Sequence, residues 1–191
     1  YKKALDVCKK KSAFLIVHPL FRWKDKKKAG DDIATFPLPK DKDMAIFFPR
    51  IEGIDTENGN LTQFFPPTGM IAGVMARTDT ERGIWKAPAG LDASLRGAVG
   101  LTVNLNDQDI GDLNKFGINC LRIFFGGPVV WGSRTMRGDD RFADEWKYLP
   151  VRRTALYIEE SLYRGTQWVV FEPNDETLWS QIRLNVGAFM Q

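Results

Sequence analysis

Apolar residues fall along this 191-residue chain in short runs whose spacing assigns the elements. Ala4, Leu5 and Cys8 share one face of a short helix, with lysines on the other. Residues 13–17 are a continuous apolar run, and Met44, Ala45, Ile46, Phe47 and Phe48 form a second, stopped by Pro49. Strand-length runs without alternation predict burial on both faces. Residues 24–43 are polar and broken by Gly30, Pro37 and Pro39, which predicts a loop. Residues 54–60 read as a turn or hairpin tip. Pro66 and Pro67 precede a helix over 68–78 with Met70, Ile71, Val74 and Met75 facing inward. Its Gly69, Ala72, Gly73 and Ala76 are small enough for a neighbour to lie close. An irregular stretch over 79–95 leads to a short strand at 99–103.

The second half repeats the alternation. Residues 107–115 predict a helix, capped by Asn106 and stopped by Gly117. Residues 118–125 and 129–135 read as a hairpin around Gly126, Gly127 and Pro128. A charged loop covers 136–145, and 146–149 can pair briefly. A helix over 151–164 starts at Pro150, faces inward through Ala155, Leu156, Ile158 and Leu162, and ends at Gly165. Residues 167–171 read as a strand. Asn174 caps a last helix, with Glu176 in its first turn and a stripe of Leu178, Trp179, Ile182, Val186 and Phe189. Strands alternating with helices predict an α/β fold, a mixed β-sheet flanked by helices.

Composition leaves that picture intact. The chain is 43% hydrophobic and 27% charged, which excludes disordered, collagen-like and disulfide-framework classes. Cys8 and Cys120 show neither pairing nor metal spacing, which points to synthesis in a reducing compartment. No run approaches the ~18 apolar residues that span a bilayer. The chain opens at Tyr1 inside one helical pattern and stops at Gln191 inside another, the expectation for a block of a longer protein.

Charge adds an asymmetry. Residues 1–50 carry 13 Lys and Arg against 6 Asp and Glu, and residues 51–191 carry 14 against 18, so the front is +7 and the remainder −4. Lys9, Lys10 and Lys11, then Lys26, Lys27 and Lys28, form the basic runs; Phe21 and Trp23 lie between them. Aromatic interleaving of basic residues occurs in single-strand binders, but no helix-turn-helix, zinc finger or aromatic sheet motif accompanies it. Solvated faces, or contacts between identical subunits, account for the runs more simply. The carboxylate doublet Asp139 and Asp140 reads as solvated or ion-paired, because adjacent side chains diverge. Arg152 and Arg153 open a helix, where cations oppose the macrodipole. They therefore call for fixed carboxylate partners, within 139–145 or on a neighbouring subunit. The single histidine, His18, has no partner at catalytic or metal spacing and reads as a hydrogen-bonded strand-end residue. No phosphate loop, dinucleotide fingerprint or nucleophile elbow occurs. No cofactor or metal is implied.

The sequence resembles the contractile tail sheath family of phages, R-type pyocins and phage-tail-like injection particles. The likeness runs through residues 67–79 (PTGMIAGVMARTD), 81–90 (ERGIWKAPAG), 130–135 (VWGSRT), the pair Arg152 and Arg153, and 164–174 (RGTQWVVFEPN). It marks Arg77, Asp79, Trp85, Lys86, Pro88, Trp131, Arg134, Trp168, Glu172, Pro173 and Asn174 as structural motif residues. Trp85, Trp131 and Trp168 are expected to pack in the core. The resemblance implies a structural subunit, not an enzyme. Such subunits stack as hexameric rings in a helical array around an inner tube protein, held by baseplate and terminal cap proteins and in some particles joined by paralogous sheath proteins. The array assembles in the bacterial cytoplasm in a metastable state and contracts to drive the tube through a target envelope, without nucleic acid or membrane insertion. On this reading residues 1–191 are a sheath core, with an N-terminal arm and a C-terminal module lying outside it. Two other classes stay open: a nucleic-acid-binding module using the basic front, and a hydrolase using His18.

Overall fold

A computed structural model describes residues 1–35, 39–142 and 144–191, so the expectation for Pro37 lies outside the described residues. The chain divides into two compact units, Tyr1–Arg153 and Thr154–Gln191.

The first unit runs α1 (Lys2–Lys10), β1 (Leu15–Val17), α2 (Lys26–Thr35), β2 (Met44–Phe48), β3 (Ile51–Asp55), β4 (Leu61–Phe65), α3 (Thr68–Glu81), β5 (Ala98–Leu101), α4 (Asp107–Asn114), β6 (Ile118–Phe124) and β7 (Gly127–Val130). It ends in the opening turn of α5 (Leu149–Gly165). The fold is α/β with a mixed sheet, ordered β1-β2-β6-β7. β1, β2 and β6 are parallel, and β7 is antiparallel to β6. A second, antiparallel sheet, β4-β3-β5, holds the predicted hairpin over the tip at 56–60. The single sheet expected from the alternation is thus divided in two.

The unbroken apolar run of β2 has the predicted cause. Every residue from Met44 to Phe48 is buried. Met44, Ile46 and Phe48 pack with Leu5 of α1, Ala29 and Ile33 of α2, and Leu113 of α4. Ala45 and Phe47 pack on the other side with Ile71, Val74 and Met75 of α3, and with Ile51 and Leu101 of the second sheet. β1 departs from expectation: it lies at the sheet edge, and Leu15 and Ile16 are only half-buried. Ala4 is exposed, so α1 holds the core through Leu5.

α2 replaces most of the predicted loop over 24–43. Ala29 and Ile33, one turn apart, bury its inner face. The Asp25 carboxylate caps it by accepting the Lys28 N–H at 2.7 Å. Three lysines and a glycine hid that two-residue stripe. α4 ends as read: Asn106 and Asp109 form a capping box, and Gly117 follows at φ +77. A Cβ at Gly117 would stand 3.1 Å from the Thr135 carbonyl oxygen, so the turn needs glycine on both counts. The brief pairing expected at 146–149 is a single bridge between Arg134 and Tyr148.

The second unit contains the remainder of α5, a 3-10 turn (Gln167–Phe171) and α6 (Glu176–Met190). The turn corrects the strand expected at 167–171. Val170 and Phe171 are 72% and 96% exposed, and no strand pairs with them among the described residues. The cap is also one residue off. Asp175 accepts the Leu178 N–H at 2.9 Å, while the Asn174 amide oxygen takes the Trp179 indole N–H at 2.8 Å. Of the predicted α6 stripe, Leu178 is buried, Ile182 and Val186 are half-buried, and Trp179 and Phe189 are exposed. Among the described residues no helix is long and apolar enough to cross a membrane.

Candidate assembly surface

The arginine pair explains its own position. Arg152 Nε donates to Asp43 Oδ1 at 2.5 Å, with both side chains nearly buried. Arg153 grips Asp79 of α3 with both terminal nitrogens, at 3.0 and 2.5 Å. These partners lie 109 and 74 residues away in sequence, not within 139–145. Two cations that the macrodipole would repel are held by carboxylates that pin the start of α5 to β2 and α3. As a buried residue, Arg152 is corrected from a surface contact to a framework one.

Asp139 is ion-paired, one of the two readings open to it, but from a buried position that takes it off the subunit surface. It is fully buried, and Arg141 donates to it through Nε at 2.9 Å and Nη2 at 2.6 Å, with Lys40 at 3.4 Å. Burial alone would raise its pKa, but the Arg141 hydrogen bonds and the Lys40 charge bring it down to about 2. Burial works against Lys40, whose pKa falls below the usual ammonium value. Asp140 stays exposed and accepts from Arg134 and Lys147, each at 2.7 Å. Arg134 Nη1 also donates to the carbonyls of Asn114 and Gly138 at 2.9 Å. Behind it, fully buried Asn119 accepts the Arg134 N–H at 2.6 Å and donates to the carbonyls of Ile46 and Arg134. Sequence reasoning missed Asn119; an amide inside the apolar run of β6 was the available signal.

The basic runs divide. Lys9 pairs with Asp41, Lys26 with Asp109 of α4, and Lys28 with Asp32 at 3.5 Å. Lys10, Lys11 and Lys27 are exposed and make no ion pair among the described residues. Leu5 on α1 and Ala29 and Ile33 on α2 enter the same core cluster. The two helices therefore cover one face of the mixed sheet and leave these lysines on its outside.

The motif tryptophans are not core residues. Trp85 is 72% exposed, and Trp131 and Trp168 are 37% and 38% exposed. Trp131 leans on Phe124 with ring centroids 4.7 Å apart. Trp85 lies over Gly83, where φ is +102 and a Cβ would stand 2.4 Å from the indole. The stretch carrying Trp85, half-buried Lys86 and buried Pro88 is fastened to α3 by Arg77, which donates to the carbonyls of Asp92 at 3.2 Å and Ser94 at 2.8 Å. A cleft of about 320 Å³ opens between that stretch and the end of α3. Arg77, Arg82, Lys86 and Arg96 line it, opposed by Glu81 and Asp92. Glu172, Pro173 and Asn174 are exposed.

His18 is half-buried against Tyr1, ring centroids 6.2 Å apart. Burial and the nearby Arg50 charge push its pKa below the usual value, which disfavours the imidazolium. It directly follows β1, at the strand end as expected, but its ring makes no hydrogen bond among the described residues. Burial raises the Cys120 thiol to about 12. Both cysteines are free.

Comparison with known proteins accounts for this arrangement. The phage tail sheath protein central domain matches residues 47–136, and the phage tail sheath C-terminal domain matches residues 143–191. The tail sheath protein of Burkholderia phage BcepMu is 29% identical over 76% of this chain and 31% of its own length. The helical sheath of the anti-feeding prophage (AFP), solved in the contracted state, is similar with a TM-score of 0.76 and 31% identity, over 98% of this chain and 47% of that one. The contracted sheath of an extracellular contractile injection system, PVC, gives a TM-score of 0.72 at 27% identity, over 93% of this chain and 46% of that one. The chain therefore spans less than half the length of these relatives. On the two domain matches and a shared α/β architecture, the chain belongs to the phage tail sheath family.

Proposed function

We propose that the chain is the core of a subunit that polymerises with itself as a helical stack of hexameric rings around an inner tube and contracts to drive that tube through a target envelope. The observation that carries this reading is the likeness along 98% of the chain to a helical sheath in its contracted state. A lattice that converts between two states needs subunits that move as rigid blocks while their contacts rearrange. The first unit supplies such a block: both faces of β2 are buried, and carboxylates of the same unit hold Arg134, Arg152 and Arg153. Its energy for work is stored in the assembly, and no side chain is asked to perform chemistry.

The exposed lysines Lys10, Lys11 and Lys27 and the surface tryptophans Trp85, Trp131 and Trp168 are the contact residues of this reading. A baseplate and a terminal cap hold the array, which assembles in the bacterial cytoplasm. One relative of known structure is an AFP baseplate, 33% identical with a TM-score of 0.72, which supports a place for such subunits beside a baseplate. Negative-stain microscopy of the full-length protein co-expressed with the inner-tube protein tests the proposal: striated tubes are expected, and dispersed monomers would refute it.

A further inference from the structure

We infer that the cleft beside Trp85 receives the exposed loop around Phe171 and Glu172 of a second copy of this chain. The inference rests on the assembly reading and adds a specific contact to it.

Both surfaces are exposed. Trp85, next in sequence to Lys86 of the cleft lining, is 72% exposed, and in the loop Val170 and Phe171 are 72% and 96% exposed. A phenyl ring left almost wholly in water is stabilised by burial, and an indole face is a suitable partner. The charges are complementary. The cleft holds four cations against Glu81 and Asp92, and its ion pair of Arg82 with Asp92 spans 3.9 Å between exposed side chains. Such a pair neutralises little. Residues 167–176 carry Glu172, Asp175 and Glu176 and no cation. Glu172 makes no ion pair or hydrogen bond through its carboxylate among the described residues. Shape agrees as well. A cleft of about 320 Å³ is too small for a folded element and suits one or two side chains. Glu172 is extended, at φ −84 and ψ 146, and Pro173 restricts it there, so little freedom is lost on docking. Phe171 would lie on Trp85, and the Glu172 carboxylate would meet Lys86 and Arg96.

The test uses tubes assembled from equal amounts of ¹⁴N- and ¹⁵N-labelled full-length protein. A carbodiimide activates carboxylates for attack by adjacent amines and leaves an amide with no spacer. Peptide mass spectrometry then reads which residues are joined and whether the isotopes are mixed. The expected product joins Lys86 to Glu172 in mixed-isotope pairs. Phe171→Ala should lower its yield and raise the subunit concentration needed for tubes, each on the order of tenfold. Lys86→Gln, at a half-exposed position, should abolish the product while the protein still folds. Tubes giving only same-isotope pairs, or no Lys86 product, would overturn the contact and leave the assembly reading standing. A wild-type protein that forms no tubes would overturn the assembly reading and this contact with it.

Discussion

Replacing Arg152 by Met should cost this protein more stability than any surface change. Asp43 and Arg152 are 4% and 6% exposed, and their hydrogen bond is 2.5 Å long. The substitution keeps most of the side-chain volume but leaves the Asp43 carboxylate buried without its cation. Stranding one member of a buried pair costs about 3–5 kcal/mol. A domain is typically stable by about 5–15 kcal/mol, so roughly a fifth or more of the total is at stake. The double change Arg152→Met with Asp43→Leu removes both charges and should recover most of the loss, because apolar replacement of a whole buried pair is often near neutral. Urea unfolding followed by tryptophan fluorescence measures both. The midpoint should fall sharply for the single variant and return for the double, with the urea dependence of stability unchanged. A single variant within about 0.5 kcal/mol of wild type, or a double variant that falls further than the single, would refute the claim that this pair pins α5 to β2.

Other positions give smaller or differently shaped effects. Asp139 has a lowered folded-state pKa of about 2, so its contribution is complete above the unfolded value near 4 and is lost as pH falls toward 2. Asp139→Asn should therefore flatten the loss of unfolding midpoint between about pH 4 and 2, by roughly 2 kcal/mol across that window; a slope equal to wild type would count against it. Gly117→Ala forces a Cβ into a left-handed turn against the Thr135 carbonyl and should lower stability by about 1–2 kcal/mol in thermal melts. Asn119→Ala removes the amide that serves three backbone groups of Ile46 and Arg134, and should cost about 1–3 kcal/mol in the same melts, more than any exposed Asn→Ala change.

The sequence made local features plain and distant ones obscure. β2 was legible because a strand buried on both faces needs no polar residue, and Met44–Phe48 has none. The capping box at Asn106 and the left-handed stop at Gly117 were legible because both are short-range chemistry. α2 was not, since among its described residues only Ala29 and Ile33 are buried apolar side chains and Lys26, Lys27 and Lys28 dominate its start. Composition there speaks for the solvated side. The need for partners at Arg152 and Arg153 followed from the helix dipole, but Asp43 and Asp79 are brought to them only by the tertiary fold. The tryptophans misled for a related reason. An indole in a motif signals burial, and sequence does not say whether the covering surface comes from the same chain. On the sheath reading Trp85 would be covered only once subunits meet.

The most direct test of that account is cryo-electron microscopy of the full-length protein assembled with its inner tube, before and after contraction. The account predicts a helical sheath in both states, with the fold of residues 1–153 unchanged and its neighbours rearranged. Monodisperse monomers under all conditions, with no tubes or rings even beside the inner-tube protein, would contradict it.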